Sequence, residues 1–243
     1  EKLGQYQRGL SLRHGGTPMT ITAGKIPDAR ICFLDEIFKA GDGLLNSLLT
    51  ALNEHRYTNE GVTVDIPVIS FFSASNEMPN FRNKEEQILA PLYDRFQLRV
   101  VTKDVQERAS RLAVLKNKQR AHFGEVTATF SLDELYAMQA QVKLVAIPDA
   151  INELMDDVLC ELRREGVTVS DRTFFGYGPV AQAAAWLAGH DEVQPEDLLQ
   201  LKNYLWSEPA QIEEVEAVLT RLCDDALRTR LEELRAKAKD ACN

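Results

Sequence analysis

The stretch that most constrains what this chain can fold into is Arg30 to Ala40, RICFLDEIFKA, in which four apolar residues, Ile31 to Leu34, run directly into the acidic pair Asp35 and Glu36. An unbroken apolar run of this length reads as a strand buried on both faces, as central strands of parallel sheets are. In an open α/β sheet the ligand site lies beyond the carboxyl ends of the strands. Two carboxylates placed there suit a metal-nucleotide, because one can hold Mg²⁺ while its neighbour orients and deprotonates an attacking water. The alternative is a core strand whose polar exit residues merely cap the next turn.

Composition narrows the class. With 243 residues, 44% hydrophobic and 27% charged, the chain has the make-up of a globular protein with a substantial core. No apolar run approaches the roughly 18 residues needed to span a bilayer, and the first residues lack signal-peptide architecture, so a cytoplasmic protein is expected. The four cysteines, Cys32, Cys160, Cys223 and Cys242, form no CxxC pair, and the four histidines, at 14, 55, 122 and 190, have no ligand spacing. Reduced thiols are therefore expected, and a protein metal cage is not. A formal charge of −9, from 37 acids against 28 bases, argues against a nucleic-acid partner. The chain opens on Glu1 rather than Met, at what reads as the middle of a domain, so a fragment is expected.

Residues 1 to 30 alternate around the turn cluster RHGGTP, predicting a hairpin with Gly15 and Gly16 near its tip. Gly24-Lys25 fails as a phosphate loop: Ile26 stands where Ser or Thr is needed, and Met19 where the leading glycine belongs. Next, GDGLLNSLLTALNEH places Leu44, Leu45, Leu48, Leu49 and Leu52 on one helical face, and RYTNEGVTVDIP reads as a hairpin around Asn59-Glu60-Gly61. VISFFSASNE is a second buried strand that turns polar at Ser73, Ser75 and Asn76. A short helix follows, interrupted or restarted near Pro91, and QLRVV is expected as a third strand. Residues 31 to 101 thus follow the pattern of a parallel α/β sheet, with a boundary at about residue 103. From Asp104 the pattern is helical, over 104 to 122, 131 to 144, 148 to 165, 171 to 188 and 195 to 206, with a long helix from about 209 to 240. The expected division is 1–103, 104–207 and a C-terminal helix in 208–243.

In this order, FLDEIFKAG, LNSLLTALNEHRY, SASNEMP, LYDRFQLR and VSDRTFF resemble the second half of an AAA+ ATPase module. More narrowly they look like the MoxR group and its RavA-like branch. The resemblance implies an α/β plus all-α fold, the C-terminal half of a parallel-sheet nucleotide-binding domain followed by a helical lid. It makes Asp35 and Glu36 the Walker B pair, for Mg²⁺ and for the attacking water, Asn76 the sensor 1 residue, Arg95 the arginine finger serving a neighbouring protomer, and Arg172 the sensor 2 residue of the lid. Residues 56 to 67 look like the pre-sensor 1 hairpin, and 5 to 28 like the end of a pore-lining insert.

Each assignment has a plainer reading. Asn76 can be a turn residue, and Arg95 can pair locally with Asp94 or Glu86, with Arg82 a rival finger. Arg172, in the first turn of a helix, is unfavourable with the macrodipole, which hints at an external anion. Gly176, Gly178 and Ala181 imitate GxGxxA without the strand that motif needs. The Walker A loop is missing, and the resemblance places it N-terminal to Glu1. The implied protein binds ATP and Mg²⁺, works as a homo-oligomeric ring, expected to be hexameric, remodels or assembles a protein substrate, and acts with a von Willebrand factor A-domain partner. The alternatives are a non-catalytic AAA+ scaffold or adaptor, and a member acting on nucleic acid or within a chelatase complex. The intact Asp35, Glu36, Arg95 and Arg172 argue against the scaffold, and the acidic charge against nucleic acid.

Overall fold

The computed structural model describes residues 5–6, 20–21, 25–39, 41–59, 62–119 and 128–241. The chain divides into two compact units, Glu1–Gln97 and Leu98–Asn243.

In the first unit, β1 (Gln5–Tyr6) pairs antiparallel with β2 (Thr20–Ile21). The expected hairpin tip between them, with Arg8, Arg13, His14, Gly15 and Gly16, lies outside the described residues. Strands β3 (Ile31–Asp35) and β6 (Ser70–Ala74) pair in parallel and in register, from Ile31 opposite Ser70 to Asp35 opposite Ala74. Between them in sequence come α1 (Asp42–Glu54) and the hairpin of β4 (Arg56–Asn59) and β5 (Val62–Asp65). His55, in the left-handed conformation at φ 51°, ends α1 and turns the chain into β4. Across the hairpin, Arg56 Nε donates to Asp65 Oδ1 at 3.1 Å, and the Thr58 and Thr63 hydroxyls meet at 2.9 Å, as cross-strand neighbours should. Its Glu60-Gly61 tip is outside the described residues.

Helix α1 serves two apolar clusters. Ala51 joins Cys32, Tyr57, Ile66 and Val68, whereas Leu45 and Leu48 join Ile37, Leu89 and Leu92, with Leu44, Leu49 and Leu52 packed alongside. The leucine face expected from spacing is therefore the buried one.

Two expectations for this region do not hold. The β3–β6 pair is packed on one face only: Cys32 is buried, but Ile31 and Phe33 are each 67% exposed and Phe72 is 55% exposed. These are the only two strands in their sheet among the described residues, and the face they bury is covered by Ala51 of α1, Tyr57 of the hairpin, Ile66 and Val68 after it, and Ile26 and Ala29 before β3. The QLRVV segment forms no strand. Leu98, Val100 and Val101 stay exposed, and the Arg99 N–H donates to the carbonyl of Asn203 at 2.8 Å rather than to a ladder. Alternation alone buried nothing there, so pairing had no stabilising face to build on.

The second unit is helical: α3 (Arg108–Gln119), α4 (Leu132–Val142), α5 (Asp149–Arg164), α6 (Asp171–Phe175), α7 (Gly178–Ala188) and α8 (Ile212–Ala241), with a 3-10 helix over Pro195–Asn203. Ser131 and Glu134 close a reciprocal capping box at the start of α4, and backbone N–H donation from Ser131 holds the Glu134 carboxyl below its usual range. Helix α5 buries Ile151, Leu154, Met155, Val158, Leu159 and Leu162, one helical face, into the core. The first half of α8 joins the same core through Val215, Val218, Leu219 and Cys223, and Arg221 reaches Glu161 of α5 at 2.6 Å. Burial pushes the Cys223 thiol up to about 12. An inert structural thiol follows.

The helix expected over 171 to 188 is broken at Gly176-Tyr177, where Pro179 opens α7 and the Tyr177 hydroxyl donates to Asn152 Oδ1 at 2.7 Å. Residues 195–203 wind as a 3-10 helix because Pro195, Leu198, Leu201 and Tyr204, all buried, recur every third residue. A period of three matches three residues per turn and not 3.6.

Candidate nucleotide site

The in-register pairing of β3 with β6 brings both strand exits to one sheet edge. Glu36 continues the ladder, its N–H donating to the Ala74 carbonyl at 2.9 Å, while its own φ is 50°. A non-glycine residue in the left-handed region is uncommon and marks a place where the surrounding structure dictates the backbone. On the neighbouring strand, Ser75 Oγ donates to the Glu77 carbonyl at 2.7 Å and accepts the Glu77 N–H at 3.3 Å. That tight turn carries Asn76, whose Nδ2 donates to Glu36 Oε1 at 3.0 Å. Residues 40 positions apart in sequence thus meet through one hydrogen bond.

Asp35 is exposed, and its carboxylate makes no hydrogen bond or ion pair among the described residues. No group of three or more His, Cys, Asp or Glu able to hold a metal occurs among the described residues. This donor set fits Mg²⁺ arriving with phosphates, which needs only one or two protein carboxylates, and does not fit a metal held by protein alone.

Lys39 completes the acidic turn. It ends the one-turn 3-10 helix Ile37–Lys39, and its Nζ lies 3.0 Å from Glu36 Oε2. Hydrogen bonding to Glu36, and then the charges of Glu36 and Glu77, raise the Lys39 pKa. Ile37 roots this turn in the core, and Phe38 rests against Tyr93 at 6.0 Å between ring centroids. Tyr93 ends α2 (Ala90–Tyr93), the short helix that leads into Arg95.

Arg95 is partly buried. Its Nε donates to Asn53 Oδ1 at 2.8 Å, and its Nη1 donates to the Pro91 carbonyl. It does not pair with Glu86, which accepts from the Asn80 N–H at 2.6 Å and Asn83 Nδ2 at 2.9 Å and is held below its usual range by them. Arg82 is exposed, with no side-chain hydrogen bond or ion pair among the described residues.

Arg172 lies in the second unit, exposed in the first turn of α6, whose N-cap Ser170 accepts the Thr173 N–H at 3.2 Å. The glycines after it are packing residues: a Cβ on Gly176 would stand 2.7 Å from the Tyr204 hydroxyl, and one on Gly178 would stand 3.2 Å from Ile147 Cδ1. The structure therefore brings Asp35, Glu36 and Asn76 to one place and seats Arg95 elsewhere in the same unit. Lys39 and Asn53 were missed by sequence reasoning. Lys39 had a signal, three residues after Glu36; Asn53, 42 residues before Arg95, had none.

A parallel strand pair with an acidic exit, followed by a helical unit whose residues 146–219 match an AAA lid domain, defines the class: an AAA+ protein. Residues 9–165 match the model of the MoxR domain in the MoxR-vWA-beta-propeller ternary systems, and the chain belongs to that family. Among its relatives are two uncharacterized proteins of Methanocaldococcus jannaschii. MJ0079 is 34% identical over 187 residues, covering 77% of this chain and 47% of that protein. MJ0812 is 32% identical over 203 residues, covering 83% and 52%. The chain spans about half the length of these relatives. The crystal structure of a Cytophaga hutchinsonii protein, provisionally described as an ATPase, superposes with a TM-score of 0.66 at 17% identity, covering 89% of this chain and 71% of that one. That likeness shows the fold.

Proposed function

We propose that the full-length protein is an ATP hydrolase of the AAA+ MoxR type, in which Asp35 and Glu36 are the Walker B pair. The observation that carries this reading is the Asn76–Glu36 hydrogen bond at the shared exit of two in-register parallel strands, beside an Asp35 with no partner among the described residues. Asp35 would hold Mg²⁺, which when bound neutralises phosphate charge. Glu36 takes the proton of the attacking water, and Asn76 fixes the carboxylate that does so. Arg95 serves the nucleotide of a neighbouring subunit in a homo-oligomeric ring, a hexamer by family resemblance, and Arg172 on the lid serves the nucleotide of its own subunit.

The family description names a von Willebrand factor A protein in its ternary systems, and such a partner suits a remodelling or assembly role here. The RavA-like placement rests on FLDEIFKAG, LNSLLTALNEHRY, SASNEMP, LYDRFQLR and VSDRTFF, and a cytoplasmic setting on the sequence; no helix among the described residues is long and apolar enough to cross a membrane.

The test is Glu36→Gln in the full-length protein. It should keep ATP binding while slowing hydrolysis by about 10² to 10⁴, the usual worth of a positioned base. Unchanged turnover would remove Glu36 from the reaction, and a wild type without turnover would point to the scaffold reading.

A further inference from the structure

We propose that Lys39 is a positioning residue for the general base: its ammonium and the Asn76 amide hold one Glu36 carboxylate oxygen each and so aim it at the attacking water. The inference rests on Glu36 being the base. It is carried by an asymmetry between the two oxygens. Oε1 takes its bond from Asn76, across the sheet edge. Oε2 is closed off from solvent, although the Glu36 side chain as a whole is 32% exposed; among the described residues it accepts no aligned hydrogen bond and faces the Lys39 ammonium as an ion pair, with Nζ at 3.0 Å. A charged oxygen without water needs a compensating charge, and an unpaired one would drive the side chain to rotate toward solvent.

The backbone prepares this contact. Left-handed Glu36 starts the turn, the Lys39 N–H donates to the Glu36 carbonyl at 2.9 Å, and buried Ile37 anchors the segment, which brings the Lys39 stem back over the carboxylate. Lys39 is itself 57% exposed, so the ion pair adds little to stability. Its effect is on direction. Each carboxylate oxygen has two lone pairs, so Oε1, with one engaged by Asn76, keeps a second for the proton of water, while Lys39 fixes the other end of the carboxylate. Two anchors from different segments restrict rotation of the carboxylate in a way that one hydrogen bond cannot.

The experiment uses the full-length, assembled protein. Lys39→Met should lower kcat by about 10- to 100-fold, the scale expected when a reacting group is misplaced by about 1 Å. KM for ATP and the thermal midpoint should stay at wild-type values. Lys39→Arg, which retains a cation of similar reach, should recover most of the rate. In the Glu36→Gln background, Lys39→Met should cause no further loss, since its effect passes through the carboxylate. If Lys39→Met does not fold, Lys39→Gln repeats the measurement. A kcat within twofold of wild type, or a rise in KM alone, would overturn the proposal while an inactive Glu36→Gln left the general-base reading standing. Full turnover by Glu36→Gln would overturn that reading first.

Discussion

Gly176→Ala tests how tightly the lid holds the helix that carries Arg172. Gly176 has an ordinary negative φ of −91°, so the substitution meets no backbone strain, and its effect comes from space alone. The added Cβ would lie 2.7 Å from the Tyr204 hydroxyl and 2.9 Å from the Arg172 carbonyl, both nearer than carbon and oxygen normally approach. One obstacle is a fully buried side chain and the other is backbone, so neither moves freely. Overpacking of this kind costs about 1–3 kcal/mol, against which loss of glycine's freedom in the unfolded chain returns about 0.4–1 kcal/mol. The net expectation is a destabilisation of about 1–2 kcal/mol, or a thermal midpoint lowered by roughly 3–6 °C for a unit of this size. Tyr204→Phe separates the two contacts. Its hydroxyl is buried with no hydrogen-bond partner among the described residues, so removing it alone should be neutral or mildly stabilising. In the Gly176→Ala background it should recover about half the loss, a coupling of about 0.5–1 kcal/mol in a double-mutant cycle followed by calorimetry or urea unfolding. Strict additivity would mean that the hydroxyl does not confront position 176, and a stabilising Gly176→Ala would mean that α6 is free to shift.

Two further outcomes are expected. Mixing full-length Arg95→Ala subunits with Glu36→Gln subunits, each nearly inactive, should restore part of the ATPase activity, because some interfaces join an intact Glu36 to a neighbour's intact Arg95, and a finger in trans is worth about 10³ to 10⁵ in rate; absence of recovery in rings shown to be mixed would shift attention to Arg82. Hydrogen bonding to buried Asp197 and the nearby Glu196 raise the His190 pKa, so the stability this contact contributes is fully present below the unfolded value of about 6.5 and is lost as pH rises through the raised folded value; the thermal midpoint should fall across that window, and a His190→Gln variant that kept the same slope would show that another group titrates.

Much of the site could be read in the sequence because its signals are local. Ile31 to Asp35 and Ser70 to Ala74 are strands whose apolar character ends at the polar exit, and Leu45 and Leu48 fall on the buried face of α1 because 3.6-residue periodicity survives in any context that supplies a partner. The period of three in Pro195, Leu198, Leu201 and Tyr204 is equally present in the sequence, where the segment is expected to be helical. What no local pattern contains is register and cover. An apolar run gives a paired strand at 31–35, whereas 97–101, also expected as a strand, joins no ladder among the described residues, because a strand exists only where a neighbouring strand receives its hydrogen bonds in register. The Asn76–Glu36 bond depends on β3 and β6 aligning residue for residue, since a slip by one would turn Asn76 to the other face. Asn53 reaches Arg95 only because α1 and α2 share the cluster around Leu45 and Leu92. The chain's residues named the chemistry, and the packing of distant segments chose which of them touch.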